Sequence, residues 1–356
     1  MSGRLLIYGA TGYTGRLVAA QAMTQGLEVV LAGRSAERLR DLAQSLGLPW
    51  HVVGLDECSR LNEAMRDADV VLNLAGPFTI TARPIVEACL RTGTHYLDVT
   101  GEIAVFQTLH GYDSEARSRG VMVMPGVGFV VVASDCLAAY VVSKLPEARY
   151  LRLGVSSTNI FSRGTLRTML GLVRERVSIR RDRQLTSVPV GRLERMFDYG
   201  EGERISTAVS WADVFTAYYT TGVPNIEVYA EAGALERGLY QLGAWLAEPL
   251  RLAPWQHLLD LQARAWPEGP SEAQRSAASR VIVADVEDRW RRRICARIRT
   301  PDGYSFTRAV AVLIAQRVLA GEVRAGFQTP AGLYGADLPL TFDGVCREDL
   351  KEYSWI

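Results

Sequence analysis

The chain has 356 residues, 48% of them apolar and 22% charged, with 40 basic and 39 acidic side chains and a formal net charge of +1. Cores tend to divide as chains approach about 250 to 300 residues, so two packed domains are expected, and so even a charge balance gives no hint of a nucleic-acid partner. The cations are almost wholly arginine, Lys144 and Lys351 being the exceptions, which confines lysine chemistry to those positions.

The opening MSGRLLIYG enters a strand-like run directly, without the pattern of a cleavable leader. No uninterrupted apolar stretch of about 18 residues follows, so no spanning helix is expected. Cys58, Cys89, Cys136, Cys295 and Cys346 are odd in number, scattered and never in C-x-x-C pairs. That points to reduced thiols in a cytoplasmic protein, with no disulfide framework and no metal site.

Over residues 1 to 140, short β-rich runs alternate with helical patterns, the rhythm of a parallel sheet covered on both faces. Strands are predicted at RLLIYG (4–9), EVVLAG (28–33), WHVVGL (50–55), VVLNLAG (70–76), THYLDVT (94–100) and VMVMPGV (121–127). Their nearly continuous apolar character fits burial on both sides, and right-handed crossovers then give a doubly wound α/β fold. Ser35 before AERLRDLAQSL and Ser59 before RLNEAMRDA are placed to cap helices.

The first turn carries the earliest chemical signal. Gly9, Gly12 and Gly15 stand between a strand and a helix with the spacing G-x-x-G-x-x-G. A glycine in the first place permits the tight turn, one in the second lets backbone approach a pyrophosphate, and one in the third lets helix pack on strand. A merely tight turn is the plain alternative. At the end of the second strand, where an acid would bond an NAD ribose, the chain has Gly33-Arg34-Ser35 with Arg38 a turn later. An arginine and a hydroxyl there suit a 2′-phosphate, favouring NADP over NAD.

Later strand ends add candidates. Asp56 follows the third strand and could reach the adenine amine, while Asn73-Leu74-Ala75-Gly76-Pro77-Phe78 closes the fourth beside the expected nicotinamide ribose. Tyr96, Asp98, Thr100, Gly101 and Glu102 end the fifth, and Gly126, Gly128 and Phe129 end the sixth. Carboxyl ends of strands are where open α/β sheets bind ligands. A reaction at a C–N bond needs an acid or base within hydrogen-bond reach, and Tyr96, Asp98 and Glu102 are the candidates. His95 stands at a strand start, where a satisfied structural histidine is the simpler reading.

After residue 150 the rhythm changes to a second, α+β domain. YLRLGVSS (150–157), RVIVADVED (280–288) and RRRICARIRTPDGYSFTRAV read as strands and a turn at Pro301-Asp302-Gly303, followed by the helix AVAVLIAQRVLAG. Ser162-Arg163-Gly164-Thr165 could open a helix that binds a carboxylate, or form an ordinary cap. The hydroxyl-rich Thr216–Asn225 could contact substrate or be an exposed strand and turn. Residues 232–266, rich in Leu and Trp, suit core or dimer packing, or else a lid over a bulky, hydrophobic substrate or a membrane-surface contact. The expected division is 1–140, 141–304 and a C-terminal helix and tail at 305–356 packing back on the body.

YGATGYTGRL, LAGRS, NLAGPF, HYLDVTGE, PGVGF with SDCLA, and TAYYTTGVPNIEVY, in that order, resemble the saccharopine dehydrogenase-like oxidoreductases, a group that includes relatives similar to trans-acting enoyl reductases. The resemblance is specific to about residue 140 and looser to about 230. It implies an N-terminal Rossmann domain binding NAD(P), and a second domain closing over a small-molecule substrate in an interdomain cleft. It further implies that Gly9, Thr11, Gly12, Tyr13, Thr14 and Gly15 hold the pyrophosphate, that Arg34 and Ser35 hold the 2′-phosphate, and that Ala75, Gly76 and Pro77 lie near the nicotinamide. Many relatives have an aspartate where this chain has Val130; Asp135 lies five residues later. A homodimer with neither nucleic-acid partner nor membrane span is expected.

Two other readings stand beside it. Tyr140 and Lys144 have the Y-x-x-x-K spacing that resembles the catalytic pair of short-chain dehydrogenases, in which lysine lowers the tyrosine pKa, although the usual serine would fall at Val127. The alternative is a non-catalytic NADP-binding sensor or scaffold.

Overall fold

The computed structural model describes residues 3–157, 176–233 and 268–350. In chain order come β1 (Arg4–Tyr8), α1 (Tyr13–Thr24), β2 (Glu28–Gly33), α2 (Ala36–Leu46), β3 (Trp50–Val52), α3 (Cys58–Arg66), β4 (Val70–Asn73), α4 (Phe78–Thr92), β5 (His95–Asp98), α5 (Ile103–His110), α6 (Asp113–Ser118), β6 (Met122–Met124) and α7 (Phe129–Lys144). The predicted strands all form. Most stop short of their apolar runs; after β1 and β6 the chain turns at glycines that leave the extended region, Gly9 at φ +83° and Gly126 at φ +75°.

Next come β7 (Tyr150–Val155), β8 (Val177–Arg181), β9 (Gln184–Val188), β10 (Glu194–Asp198), β11 (Glu203–Ala208), α8 (Asp213–Thr221), β12 (Asn225–Glu231), α9 (Glu272–Ser276), β13 (Ser279–Glu287) and β14 (Arg293–Pro301). The described chain closes with α10 (Gly303–Leu319), β15 (Gly326–Phe327), α11 (Pro330–Tyr334) and β16 (Cys346–Leu350). The chain divides into two units, one of Met1–Val132 with Gly303–Tyr334, the other of Ala133–Asp302 with Gly335–Ile356.

The first unit is built on a wholly parallel sheet in the order β15-β6-β5-β4-β1-β2-β3. The order reverses between β1 and β4, the switch point at which doubly wound sheets open a crevice. Leu5, Ile7, Leu31, Val70, Leu72 and Leu97 are all fully buried, as strands covered on both faces require. The seventh strand, β15, comes from the far end of the chain, and α10 packs on α1 and against β1 and β4.

Two local expectations change. Ser59 lies inside α3 rather than before it. Glu57 takes the N-cap place, and its carboxylate accepts the Gly54 N–H at 2.7 Å and an Arg60 N–H at 2.6 Å. Thr216–Asn225 is not an exposed strand and turn but the end of α8, closed by Gly222 at φ +74°, followed by β12.

The second unit holds a nine-stranded mixed sheet with the path β10-β11-β12-β7-β13-β14-β16, and with β8 pairing β12 and β9. Ile179, Phe197, Tyr229 and Val283 lie in one of its cores. In register, Arg152 on β7 stands opposite Glu227 on β12 and Asp285 on β13. It forms ion pairs with Glu227 at 3.8 Å, Asp285 at 3.8 Å and Glu287 at 2.9 Å. Ser162–Thr165 and residues 234–266 lie outside the described residues.

Candidate functional site

The three glycines of the first turn do different work. A β-carbon on Gly9 would lie 2.7 Å from the Ala75 N, and one on Gly15 would lie 2.7 Å from the Ala10 O. Backbone therefore fills the space at both, and the turn is pressed against the end of β4 and the start of α1. Gly12 is exposed, has φ −72°, and its β-carbon would meet only the Gly9 O at 3.3 Å. Internal packing hardly explains a glycine here. The N-terminus of α1 carries no side-chain cap, and a helix N-terminus bare of side chains suits an anion.

Arginines frame that turn. Arg16 donates to the Thr11 carbonyl at 3.2 Å and Arg38 to the same oxygen at 3.4 Å. The sequence reading missed Arg16, although its place one turn into α1 is a signal that could have found it. Arg34 is exposed and Ser35 half-buried at the end of β2. The Tyr8 hydroxyl beneath them donates to the Val53 carbonyl at 3.1 Å. Burial raises the pKa of Tyr8, Arg34 lowers it, and Asp56 and Glu57 raise it. Cation and carboxylates are thus gathered at the ends of β2 and β3, with Asp56 exposed. Thr11, Tyr13 and Thr14 are half-buried around the turn.

At the ends of β4 and β5 the polar groups form one chain of hydrogen bonds. The Asn73 Oδ1 accepts the Ala75 N–H at 3.1 Å, and its Nδ2 donates to Thr81 Oγ1 at 3.1 Å and to the Tyr96 hydroxyl at 3.4 Å. Thr81 in turn donates to the Ala75 carbonyl at 2.6 Å. Tyr96 donates to Asp98 Oδ2 at 2.7 Å, while Asp98 Oδ1 accepts the N–H groups of Thr100 at 2.9 Å and Gly126 at 3.0 Å. Asn73, Tyr96 and Asp98 are fully buried. Ala75 is half-buried, and Gly76 and Pro77 are exposed just beyond them.

Burial pushes the Asp98 carboxyl up to about 6, against the pull of the Thr100, Tyr96 and Gly126 donors and with Glu102 adding to the rise. Both carboxylate oxygens are occupied by protein donors, so the group organises the edge. Glu102, half-buried at the start of α5, has its own N–H held by Thr100 Oγ1 at 3.2 Å. His95 is structural: its Nδ1 accepts the Met122 N–H at 3.0 Å, and burial lowers its pKa. An imidazole held in that way is neutral.

The second unit spends its candidate groups internally. The Tyr140 hydroxyl and Lys144 Nζ both bond Asp349, at 3.0 and 2.5 Å, and the Arg347 guanidinium stacks 3.5 Å from the Tyr140 ring centre. Thr220 donates to Asp135 Oδ2 at 2.9 Å, and Ser134 donates to the buried Asp213 at 2.5 Å, whose carboxyl burial holds far above its usual range. A recess of about 290 Å³ is lined by Met196, Phe197 and Val283 among others. Its Arg195 and Arg293 are engaged by Asp285, so they neutralise that acid and do not identify a ligand. Among the described residues no cluster of three or more metal-ligating side chains occurs, and no helix is long and apolar enough to cross a membrane.

The saccharopine dehydrogenase NADP-binding domain model matches residues 5–124. A trans-acting enoyl reductase of Mycobacterium leprae is 37% identical over 139 residues, covering 37% of this chain and 33% of that protein. A saccharopine dehydrogenase-like oxidoreductase of Mus musculus is 31% identical over 156 residues, covering 38% of this chain and 36% of that one. The matched stretch therefore spans about a third of these relatives. Across 98% of this chain and 100% of the other, the fold is similar to that of apo saccharopine dehydrogenase (L-Glu forming) from Saccharomyces cerevisiae, with TM-score 0.66 and 12% identity.

Proposed function

We propose that this chain, whose residues 5–124 match the saccharopine dehydrogenase NADP-binding domain model, is an NADP-dependent oxidoreductase acting on a small organic substrate. The observation that carries the reading is the site around the β1–α1 turn. Packing demands Gly9 and Gly15 and leaves Gly12 bare before an uncapped helix N-terminus, and Arg34 and Ser35 stand at the end of the neighbouring strand.

In this reading Gly9, Thr11, Gly12, Tyr13, Thr14 and Gly15 cradle the pyrophosphate through backbone N–H groups. Arg34 and Ser35 bond the 2′-phosphate, Asp56 takes the adenine amine, and Ala75, Gly76 and Pro77 flank the nicotinamide ribose. The cofactor supplies a hydride acceptor or donor. Glu102, the partly exposed acid of the edge, moves the proton that accompanies hydride transfer. Asp98 and Tyr96 hold the turns of β5 and β6 around it. The substrate is proposed to be bulky and apolar, on the Leu- and Trp-rich composition of residues 232–266. The setting proposed is cytoplasmic and homodimeric, with all five cysteines kept as free thiols.

Both oxygens of Asp98 accept bonds from protein donors, and the Tyr96 hydroxyl accepts from Asn73 and donates to Asp98, which favours one second reading, an NADP-binding sensor without turnover. Titration of the purified protein with NADPH and NADH tests the first claim: preference for NADPH supports it and equal or absent binding defeats it. Glu102→Gln separates enzyme from sensor, since an enzyme should keep NADPH affinity and lose turnover against its substrate.

A further inference from the structure

The start of α10 reaches two distant points on the carboxyl edge of the parallel sheet. Tyr304 meets Tyr13, the first residue of α1, edge to face with ring centres 5.2 Å apart. One residue earlier, Gly303 lies so close to Phe129 that a β-carbon would touch its ring at 3.4 Å. Thr307 Oγ1 accepts the Phe129 N–H at 3.0 Å. Tyr13 follows β1 and Phe129 follows β6, strands separated in the sheet by β4 and β5. That is three strand spacings, about 14 Å. Helix α10 also packs against β4 and β1. Its start therefore lies between the residues that follow β1 and those that follow β6, on the part of the edge that also holds the ends of β4 and β5, from which Ala75–Pro77 and Thr100–Glu102 emerge.

Within that turn, side chains divide by role. Phe306 and Val310 are buried in the core, whereas Tyr304 is half-buried, with its ring on the side of the glycine turn. We propose that Tyr304 is a wall of the nicotinamide half of the dinucleotide site, a positioning residue that holds the ring end of NADP(H) against the edge formed by β4 and β5. The proposal rests on the NADP reading of the first unit. It assigns to a residue some 290 positions after the glycine turn a part in the same site, and it makes the site depend on the returning segment Gly303–Tyr334.

The test uses the full chain and two ligands. NADPH reaches the whole site, whereas 2′,5′-ADP has only the adenosine half and its phosphates. Tyr304→Ala and Tyr304→Leu should each weaken NADPH binding by about tenfold, the worth of one aromatic contact. Both should leave 2′,5′-ADP affinity within about twofold of wild type, and Tyr304→Phe should bind both ligands normally. Unchanged NADPH affinity in Tyr304→Leu overturns the proposal, as does a parallel loss of both ligands, which marks a purely structural role. Failure of the wild-type chain to bind either ligand instead defeats the NADP reading itself.

Discussion

The carboxylate of Asp98 accepts the backbone N–H of Gly126 at 3.0 Å, so a buried side chain joins the carboxyl ends of β5 and β6 beyond the last paired residues of the strands. The same oxygen accepts the Thr100 N–H at 2.9 Å, and the Val127 N–H returns to the Asp98 carbonyl at 2.7 Å. One acid thus shapes both turns that border the proposed substrate end of the cofactor.

This role has a pH signature. The folded Asp98 carboxyl titrates at about 6 against an ordinary value of 3.8, so between those values the folded state binds more protons than the unfolded one. The stabilising contribution is fully present below pH 3.8 and is lost as pH rises through 6. Relative to Asp98→Asn, the wild type should lose on the order of 2 to 3 kcal/mol between pH 4 and pH 7. Urea unfolding of both proteins across that range measures it, and a gap that does not change with pH would refute the assignment.

Gly9 and Gly12 should respond oppositely to the same substitution. Gly9→Ala places a methyl group against the backbone of Ala75 at φ +83° and should cost about 1 to 3 kcal/mol of stability. Gly12→Ala has an ordinary φ and only one close neighbour. It should change stability by no more than about 0.5 kcal/mol while weakening NADPH binding at least about tenfold, because its methyl group blocks the phosphate approach. Thermal unfolding beside NADPH titration checks the contrast.

Arg34 should govern the choice between cofactors. Removing one charge-assisted bond to a phosphate costs roughly 1.5 to 3 kcal/mol, so Arg34→Ala should bind NADPH about 10- to 100-fold more weakly. NADH affinity should not fall. Equal losses for the two nucleotides would place Arg34 elsewhere in the site.

Tyr140 and Lys144 should prove dispensable for chemistry. Both bond Asp349 in the second unit, and Lys144 has its pKa raised by that carboxylate and by Tyr140. Tyr140→Phe and Lys144→Ala should each shift stability by less than about 1 kcal/mol, as partly exposed ion-pair partners do, and leave NADPH binding intact. A loss of turnover of several orders of magnitude in Tyr140→Phe would revive the short-chain dehydrogenase reading.

Much of the first unit was legible before folding. Six apolar runs at even spacing marked its strands, since burial on both faces leaves a continuous apolar record. The glycine triplet was legible because a sharp turn demands glycine where backbone crowds it, as at Gly9 and Gly15, and Arg34-Ser35 was legible as a cation and a hydroxyl following β2, the place proposed for the 2′-phosphate. Ser59 and Thr216–Asn225 were misread for a local reason. Hydroxyl-bearing side chains suit caps, turns and helix interiors alike, and only the partner a hydroxyl finds tells them apart. Thr220 found Asp135, and Glu57 displaced Ser59 by bonding Gly54 and Arg60.

What the order of residues dictates alone is therefore whatever short-range physics controls: strand and helix periods, the tight β1–α1 turn, and the cation after β2. What required the folded chain is every partnership across long sequence separation. Asp98 read as a candidate acid or base at a strand's carboxyl end, and only the packing of β5 against β6 and of Tyr96 against Asn73 shows it as a buried organiser. Likewise, nothing in the turn at Pro301-Asp302-Gly303 foretold that Tyr304 would meet Tyr13. Burial and hydrogen-bond pairing between such distant residues depend on the whole sheet being assembled, and no local pattern records them.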